Sequence, residues 1–217
     1  MPNFDKNEVL TLLKMLVSTN TVNPPGNDKI LAEKMAEAFV REGVDVRVDD
    51  IEPGRANLIA HFLGEKHSPV FLVTGHIDTV PVGGIEWQQD PFRCDTDGDL
   101  VYGRSVAGMK GSVAALMYVM FLMKRNRTIP KQDVIFCAAY WEERGCIGAK
   151  AFVDKGGMRE IGAILVGEPS NADMLVAHKG AILVRVKFQG KTAHGSMPHL
   201  GINAVNMAVK FVQALNA

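Results

Sequence analysis

Five polar side chains stand where apolar runs of the chain end: His76, Asp78, Glu142, Glu143 and Glu168. The first two follow Val70-Phe71-Leu72-Val73-Thr74-Gly75, a β-branched apolar run that opens into a Pro/Gly-rich loop. Positions two apart in an extended chain point to the same side, so His76 and Asp78 share a face, although such neighbours need not touch. A metal-binding imidazole usually has its other ring nitrogen held by a carboxylate or carbonyl, and His-x-Asp supplies such a ligand and orienter. Glu142 and Glu143 follow a second apolar run, 133–140, and Glu168 follows a third, Ile164-Leu165-Val166-Gly167. One imidazole with several carboxylates suits Zn²⁺, or a related ion such as Co²⁺ or Mn²⁺. A carboxylate beside a ligand carboxylate would take a proton from water whose pKa the ion lowers. That chemistry is metal-assisted hydrolysis. The alternative is an ordinary α/β domain whose acidic loop ends are only solvated.

The elements that must position these groups alternate along the chain. Residues 5–18 carry apolar positions at helical spacing with Asp5 as N-cap, and Asn20-Thr21-Val22-Asn23-Pro24-Pro25-Gly26 stops that helix. A second amphipathic helix fits 27–42 and ends at Gly43. Strands are predicted at 44–48, 57–62, 70–75 and 133–140, with an apolar helix at 112–124 and a long loop over 81–99. The glycine-rich 103–111 segment has neither a dinucleotide-binding nor a Walker spacing, so no nucleotide site is expected. This alternation through residue 169 predicts an α/β fold with a helix-flanked, mostly parallel sheet, whose chemistry belongs at the carboxyl ends of strands. Character shifts near residue 174. Within 181–188, residues 184–188 alternate like a half-exposed antiparallel strand, and a helix fits 201–215. Two domains are therefore expected, 1–174 and the opening of a second over 175–217.

Composition narrows the function classes. The 217 residues hold 24 basic and 24 acidic side chains, so nothing in the charge balance calls for a nucleic-acid or membrane partner. The N-terminus lacks a basic region followed by an apolar stretch, and no apolar run approaches membrane-spanning length, so a cytoplasmic protein is expected. Cys94, Cys137 and Cys146 form no CxxC pair and no disulfide framework. His61 in a strand pattern, His67 in a polar turn and His178 all read as structural.

Five motifs occur together in order: Gly75-His76-Ile77-Asp78-Thr79-Val80-Pro81; Tyr102-Gly103-Arg104 with Met109-Lys110-Gly111; Glu142-Glu143-Arg144-Gly145 with Gly148-Ala149; Gly167-Glu168-Pro169-Ser170; and Gly190-Lys191-Thr192-Ala193-His194-Gly195 with Pro198 and Gly201-Ile202-Asn203-Ala204. Together they resemble the metallopeptidase/deacylase family of acetylornithine deacetylase, succinyl-diaminopimelate desuccinylase, aminoacylase and glutamate carboxypeptidase. The resemblance implies a zinc-peptidase-like catalytic domain interrupted by an α+β dimerisation domain, a homodimer, and two zinc ions. It implies His76 and Glu168 as ligands of one ion and Glu143 of the second, with Asp78 orienting His76. Glu142 would be the general base that later protonates the leaving amine. His194 would reach a neighbouring subunit's site and stabilise the oxyanion. The implied substrate is an N-acyl amino acid or small peptide cleaved at its amide bond. Gly195-Ser196-Met197-Pro198-His199 tilts that reading toward the deacetylase and desuccinylase members, with His199 a neighbour of His194.

Two departures shape a second expectation. Where the family carries an aspartate that bridges both metals, this sequence has Gly108, which has no side chain to ligate. Family members are also longer, so the chain is expected to stop inside the inserted domain and to lack a last histidine ligand. Against the hydrolase stands a truncated, catalytically silent remnant that binds metal weakly or dimerises.

Overall fold

The computed structural model describes residues 4–180 and 182–217, which divide into two compact units, Met1–Asp173 and Met174–Ala217. The first unit opens with α1 (Lys6–Ser18), capped by Asp5, whose carboxylate accepts from the Asn7 and Glu8 N–H groups. Then follow α2 (Asp28–Arg41), β1 (Asp45–Glu52), β2 (Arg55–Phe62) and β3 (Lys66–His76). A small hairpin, β4 (Asp95–Asp97) and β5 (Leu100–Tyr102), closes the expected long loop. After it come α3 (Met109–Arg125), β6 (Gln132–Ala139), α4 (Ile147–Asp154) and β7 (Ile161–Val166).

The five long strands form one sheet in the order β1-β2-β6-β3-β7. β3 pairs in parallel with both β6 and β7, whereas β1, β2 and β6 pair antiparallel. The parallel part thus holds the three strands whose ends carry the polar groups, and all three end at one edge.

Strand periodicity divides the core between two faces. On β2, Leu58, Ala60 and Phe62 join the larger cluster beneath α1, α2 and α3, while Ile59 joins Leu72, Cys137 and Phe152 of α4 on the other face. Phe39 of α2 is fully buried and meets the Phe121 ring of α3 edge-on at 5.2 Å and Phe136 of β6 at 5.7 Å. Truncating a phenylalanine so placed costs about 3–5 kcal/mol. Among the described residues β7 has a neighbour on one side only, and Ile164, Leu165 and Val166 stay about half exposed.

The second unit holds a 3₁₀ turn, Pro198–Leu200, and α5 (Ala204–Leu215), whose start is capped by the Asn203 side chain. An isolated antiparallel bridge joins Lys191 to Ile202. The strand predicted over 181–188 is not formed among the described residues, and Ala181 lies outside them. A strand needs a ladder partner for its backbone groups, and alternation alone does not provide one. Among the described residues no helix is long and apolar enough to cross a membrane.

Candidate metal centre

The site begins where β3 ends. Gly75 lets the first turn of α3 close over this edge, because a Cβ there would lie 2.8 Å from Met109 Sδ. His76 is the last residue of β3, and its Nδ1 faces the Asp78 carbonyl at 3.0 Å and Asp78 Oδ1 at 3.2 Å. Both partners are acceptors, so Nδ1 carries the proton and Nε2 is left to face the cleft. Asp78 is fully buried and also accepts from Asn23 Nδ2 at 3.1 Å, Glu142 N–H at 2.9 Å and Glu143 N–H at 3.2 Å. Burial alone would push the Asp78 carboxyl up, but donors from His76, Asn23 and Glu142 hold it below the usual carboxylate value. For His76, burial pulls the imidazole down, yet Asp78, Glu142 and Glu168 together raise it above the usual histidine value.

A tight loop after β6 delivers the glutamate pair. Trp141 at φ 49° and Cys146 at φ 57° bracket it in the left-handed region, which non-glycine residues seldom occupy. The Glu142 carbonyl accepts from Gly145 and Cys146 N–H groups, and Gly148 N–H returns to the Tyr140 carbonyl at 3.0 Å. Only glycine fits at 148, where a Cβ would lie 2.3 Å from that oxygen. Asn57 of β2 locks the turn, donating to the Gly148 carbonyl at 2.8 Å and accepting from Tyr140 N–H at 3.0 Å. These bonds hold the two left-handed residues in place.

Glu142 Oε2 and Glu168 Oε1, the latter beyond β7, each lie 3.7 Å from His76 Nε2. His76, Glu142 and Glu143 offer ligand atoms that all fall within 4.8 Å of one another. Glu143, Glu168 and His76 line a cleft of about 370 Å³ with Thr79, Arg104 and Gly108. Burial, then repulsion from neighbouring carboxylates, pushes Glu143 and Glu168 up despite the pull of His76. An imidazole nitrogen facing crowded carboxylates is a donor set that a divalent cation relieves, so these residues fit one such ion. The bridge between two ions is another matter. Gly108, at the N-cap of α3, lines the cleft and offers no oxygen from a side chain.

The structure therefore brings His76, Asp78, Glu142, Glu143 and Glu168 to one edge, and joins His76 to Asp78 directly. His194 lies in the second unit, exposed, with its Nδ1 2.8 Å from Ser196 Oγ. Ser196 N–H donates to the same nitrogen at 3.3 Å, so neutral His194 presents an Nε2–H donor. His178 and His199 are exposed in that unit.

Three buried residues belong to the site's support and were not expected from the sequence. Asn23 holds Asp78 from the loop read only as a helix stop. Lys110, within a motif segment, is buried and donates to the Leu16 and Thr19 carbonyls at 2.7 and 3.0 Å. Burial pulls its ammonium down to about 7, against the pull of Asp28 and Asp78. Asp28 is fully buried, and burial with Asp78 nearby pushes it up to about 7. Asn23 could have been suspected, since a polar residue fixed ahead of two prolines is rigidly placed.

A helix-flanked sheet has an imidazole and carboxylates converging at its parallel strand ends, in an arrangement that could hold a divalent cation. The model of peptidase family M20/M25/M40 matches residues 72–215, and the chain belongs to that family. It is 30% identical over 217 residues to a probable succinyl-diaminopimelate desuccinylase of Staphylococcus epidermidis, covering 99% of this chain and 52% of that protein. The chain spans about half the length of the curated relatives it matches. Its fold is similar to a tripeptidase of Staphylococcus aureus, with a TM-score of 0.69 at 21% identity over 96% of this chain and 56% of that one. It is also similar to a dinuclear metal-binding M20 peptidase of Bacillus subtilis, with a TM-score of 0.54 at 20% identity over 75% of this chain and 43% of that one.

Proposed function

We propose that this chain carries the metal-binding half of an amidohydrolase that cleaves the amide bond of N-acyl amino acids or small peptides. The observation that carries the reading is His76: its Nδ1 is held by Asp78 and its Nε2 faces Glu142 and Glu168 at 3.7 Å. His76 and Glu168 would hold one ion and Glu143 the second, zinc by family resemblance. A divalent cation there supplies polarisation of the scissile carbonyl and acidification of water.

The chain's own residues do the rest. Asp78 keeps the proton on Nδ1 and fixes the imidazole plane. Glu142, partly exposed beside Nε2, is placed to take a proton from water and to return it to the leaving amine. His194, with its Nε2–H free of local partners among the described residues, is suited to donate to an oxyanion. The second unit is read as the opening of the dimerisation domain, and the desuccinylase relative supports an acylated amino acid as substrate.

Gly108 favours a second reading, a centre that holds one ion and turns over little. Metal analysis of the folded chain separates the two. Two zinc ions per chain support the dinuclear hydrolase, and one supports the second reading. A folded chain without any zinc, unable to bind Co²⁺, would refute both.

A further inference from the structure

Behind the site runs a chain of hydrogen bonds that begins at a buried ammonium. Lys110 lies in the first turn of α3 and is 1% exposed. Its Nζ donates to Leu16 in the last turn of α1 and to Thr19, the C-cap of that helix. A cation bonded to the last carbonyls of a helix favours its dipole as well as its open acceptors. The segment leaving that cap is then stitched to the residues after His76. Thr21 Oγ1 donates to the Ile77 carbonyl at 2.6 Å, Thr79 N–H to the Thr21 carbonyl at 3.0 Å, and Asn23 N–H to the Thr79 carbonyl at 2.8 Å. The run ends at Asn23, whose Nδ2 donates to Asp78 Oδ2 while Asp78 Oδ1 faces His76. Thr21, Asn23, Asp78 and Lys110 are each no more than 1% exposed, so water does not compete for these bonds.

We propose that Asn23 and Lys110 are positioning residues of the metal centre: Lys110 fixes segment 19–23 from behind, and Asn23 passes that constraint to Asp78, which sets the His76 imidazole. The proposal rests on the metal-centre reading for its functional meaning, but the geometry it describes exists without the ion.

Thr21 supplies the control. Thr21→Val removes a buried bond of the same segment that ends on a backbone carbonyl and never touches Asp78. Asn23→Ala removes the bond to the carboxylate itself. Three quantities would be read on the full chain: the melting temperature, the Co²⁺ affinity with its visible spectrum, and the tautomer of neutral His76 from ring ¹⁵N shifts without metal. Asn23→Ala is expected to weaken Co²⁺ binding about tenfold, the low end for loss of a supporting partner, and to alter the spectrum. It should also convert a locked Nδ1–H tautomer into a mixture. Thr21→Val is expected to lower the melting temperature while changing Co²⁺ affinity and tautomer much less than Asn23→Ala does, because the Asn23 bond to Asp78 is kept. Lys110→Met should act like Asn23→Ala, and the double variant should lose no more than the larger single loss, because both lie on one path.

Unchanged Co²⁺ affinity and an unchanged tautomer in folded Asn23→Ala would overturn the proposal. So would equal effects from Thr21→Val. If Lys110→Met does not fold, Asn23→Ala against Thr21→Val still decides. If the unmodified chain binds no Co²⁺ but the tautomer responds to Asn23→Ala alone, the metal reading fails and the positioning role stands.

Discussion

At the amino-terminal edge of the sheet, Asp133 of β6 receives the Gly64 N–H at 2.7 Å, His61 Nε2 at 3.1 Å and His67 Nδ1 at 3.1 Å. At the carboxyl-terminal edge, one imidazole faces three carboxylates, and among the described residues only its Nδ1 is engaged in a hydrogen bond. The residue types are the same and the proportions are reversed. Two histidines on one carboxylate close the Asp133 cluster, with both of its oxygens occupied. One histidine among Asp78, Glu142 and Glu168 leaves negative charge and a ring nitrogen facing a cleft. A histidine–carboxylate contact is therefore no metal site by itself; the excess of acceptors and the open face are what suit the carboxyl-terminal edge to a cation.

The largest effect expected from that contrast is on metal affinity. His76→Ala should weaken Co²⁺ or Zn²⁺ binding by more than about 100-fold, exceeding what loss of a supporting partner costs. His61→Ala and His67→Ala should leave it unchanged in calorimetric titration. Equal losses at both edges would erase the distinction. Asp78→Asn comes next, at about 10–100-fold, because it removes the group that sets the imidazole without removing a ligand.

Gly108→Asp sharpens the comparison by adding an acceptor to the open edge. Gly108 has φ −102°, outside the left-handed region, and a Cβ there would meet Ser105 Oγ at 3.1 Å, so a small shift of that hydroxyl admits the side chain. Metal affinity should rise about tenfold, or ~1.4 kcal/mol. Unchanged affinity in a folded variant would count against the lost bridge.

pH separates the edges again, because the two groups are shifted in opposite directions, His76 up and Asp133 down. His76 is held above the ordinary histidine value, and the ion must displace its proton, so metal affinity rises with pH through a midpoint above about 6.5 and falls toward acid. For Asp133, burial raises the carboxyl, but the Gly64 N–H and the two imidazoles win and hold it below the ordinary value. Its contribution to stability is therefore present above about pH 4 and is lost as pH falls through the lower folded value. Asp133→Asn should cost about 1–3 kcal/mol in denaturant unfolding at neutral pH, show a shallower acid loss, and leave metal affinity intact.

Much of the site was legible because it is built from local signals. Apolar runs ending in His76, Glu142 and Glu168 mark strand ends, and α1, α2, α3 and α5 fall close to their expected spans. The alternation over 184–188 was equally clear in the sequence, yet no strand forms there among the described residues, since a ladder requires a second chain segment. The hairpin Asp95–Tyr102 went unforeseen because its strands are three residues each, too short for a periodicity.

The sequence by itself determined which residues end the strands, and hence that one imidazole and several carboxylates gather at a sheet edge. Only the tertiary structure decided that Asp78 grips His76, that Asn23 grips Asp78 from 55 positions away, and that Lys110 reaches Leu16 across 94. Side-chain character and periodicity act over a few residues and can be read along the chain. Partners so far apart are set by strand order and helix packing, which bring distant segments together at a free-energy cost that no local pattern encodes.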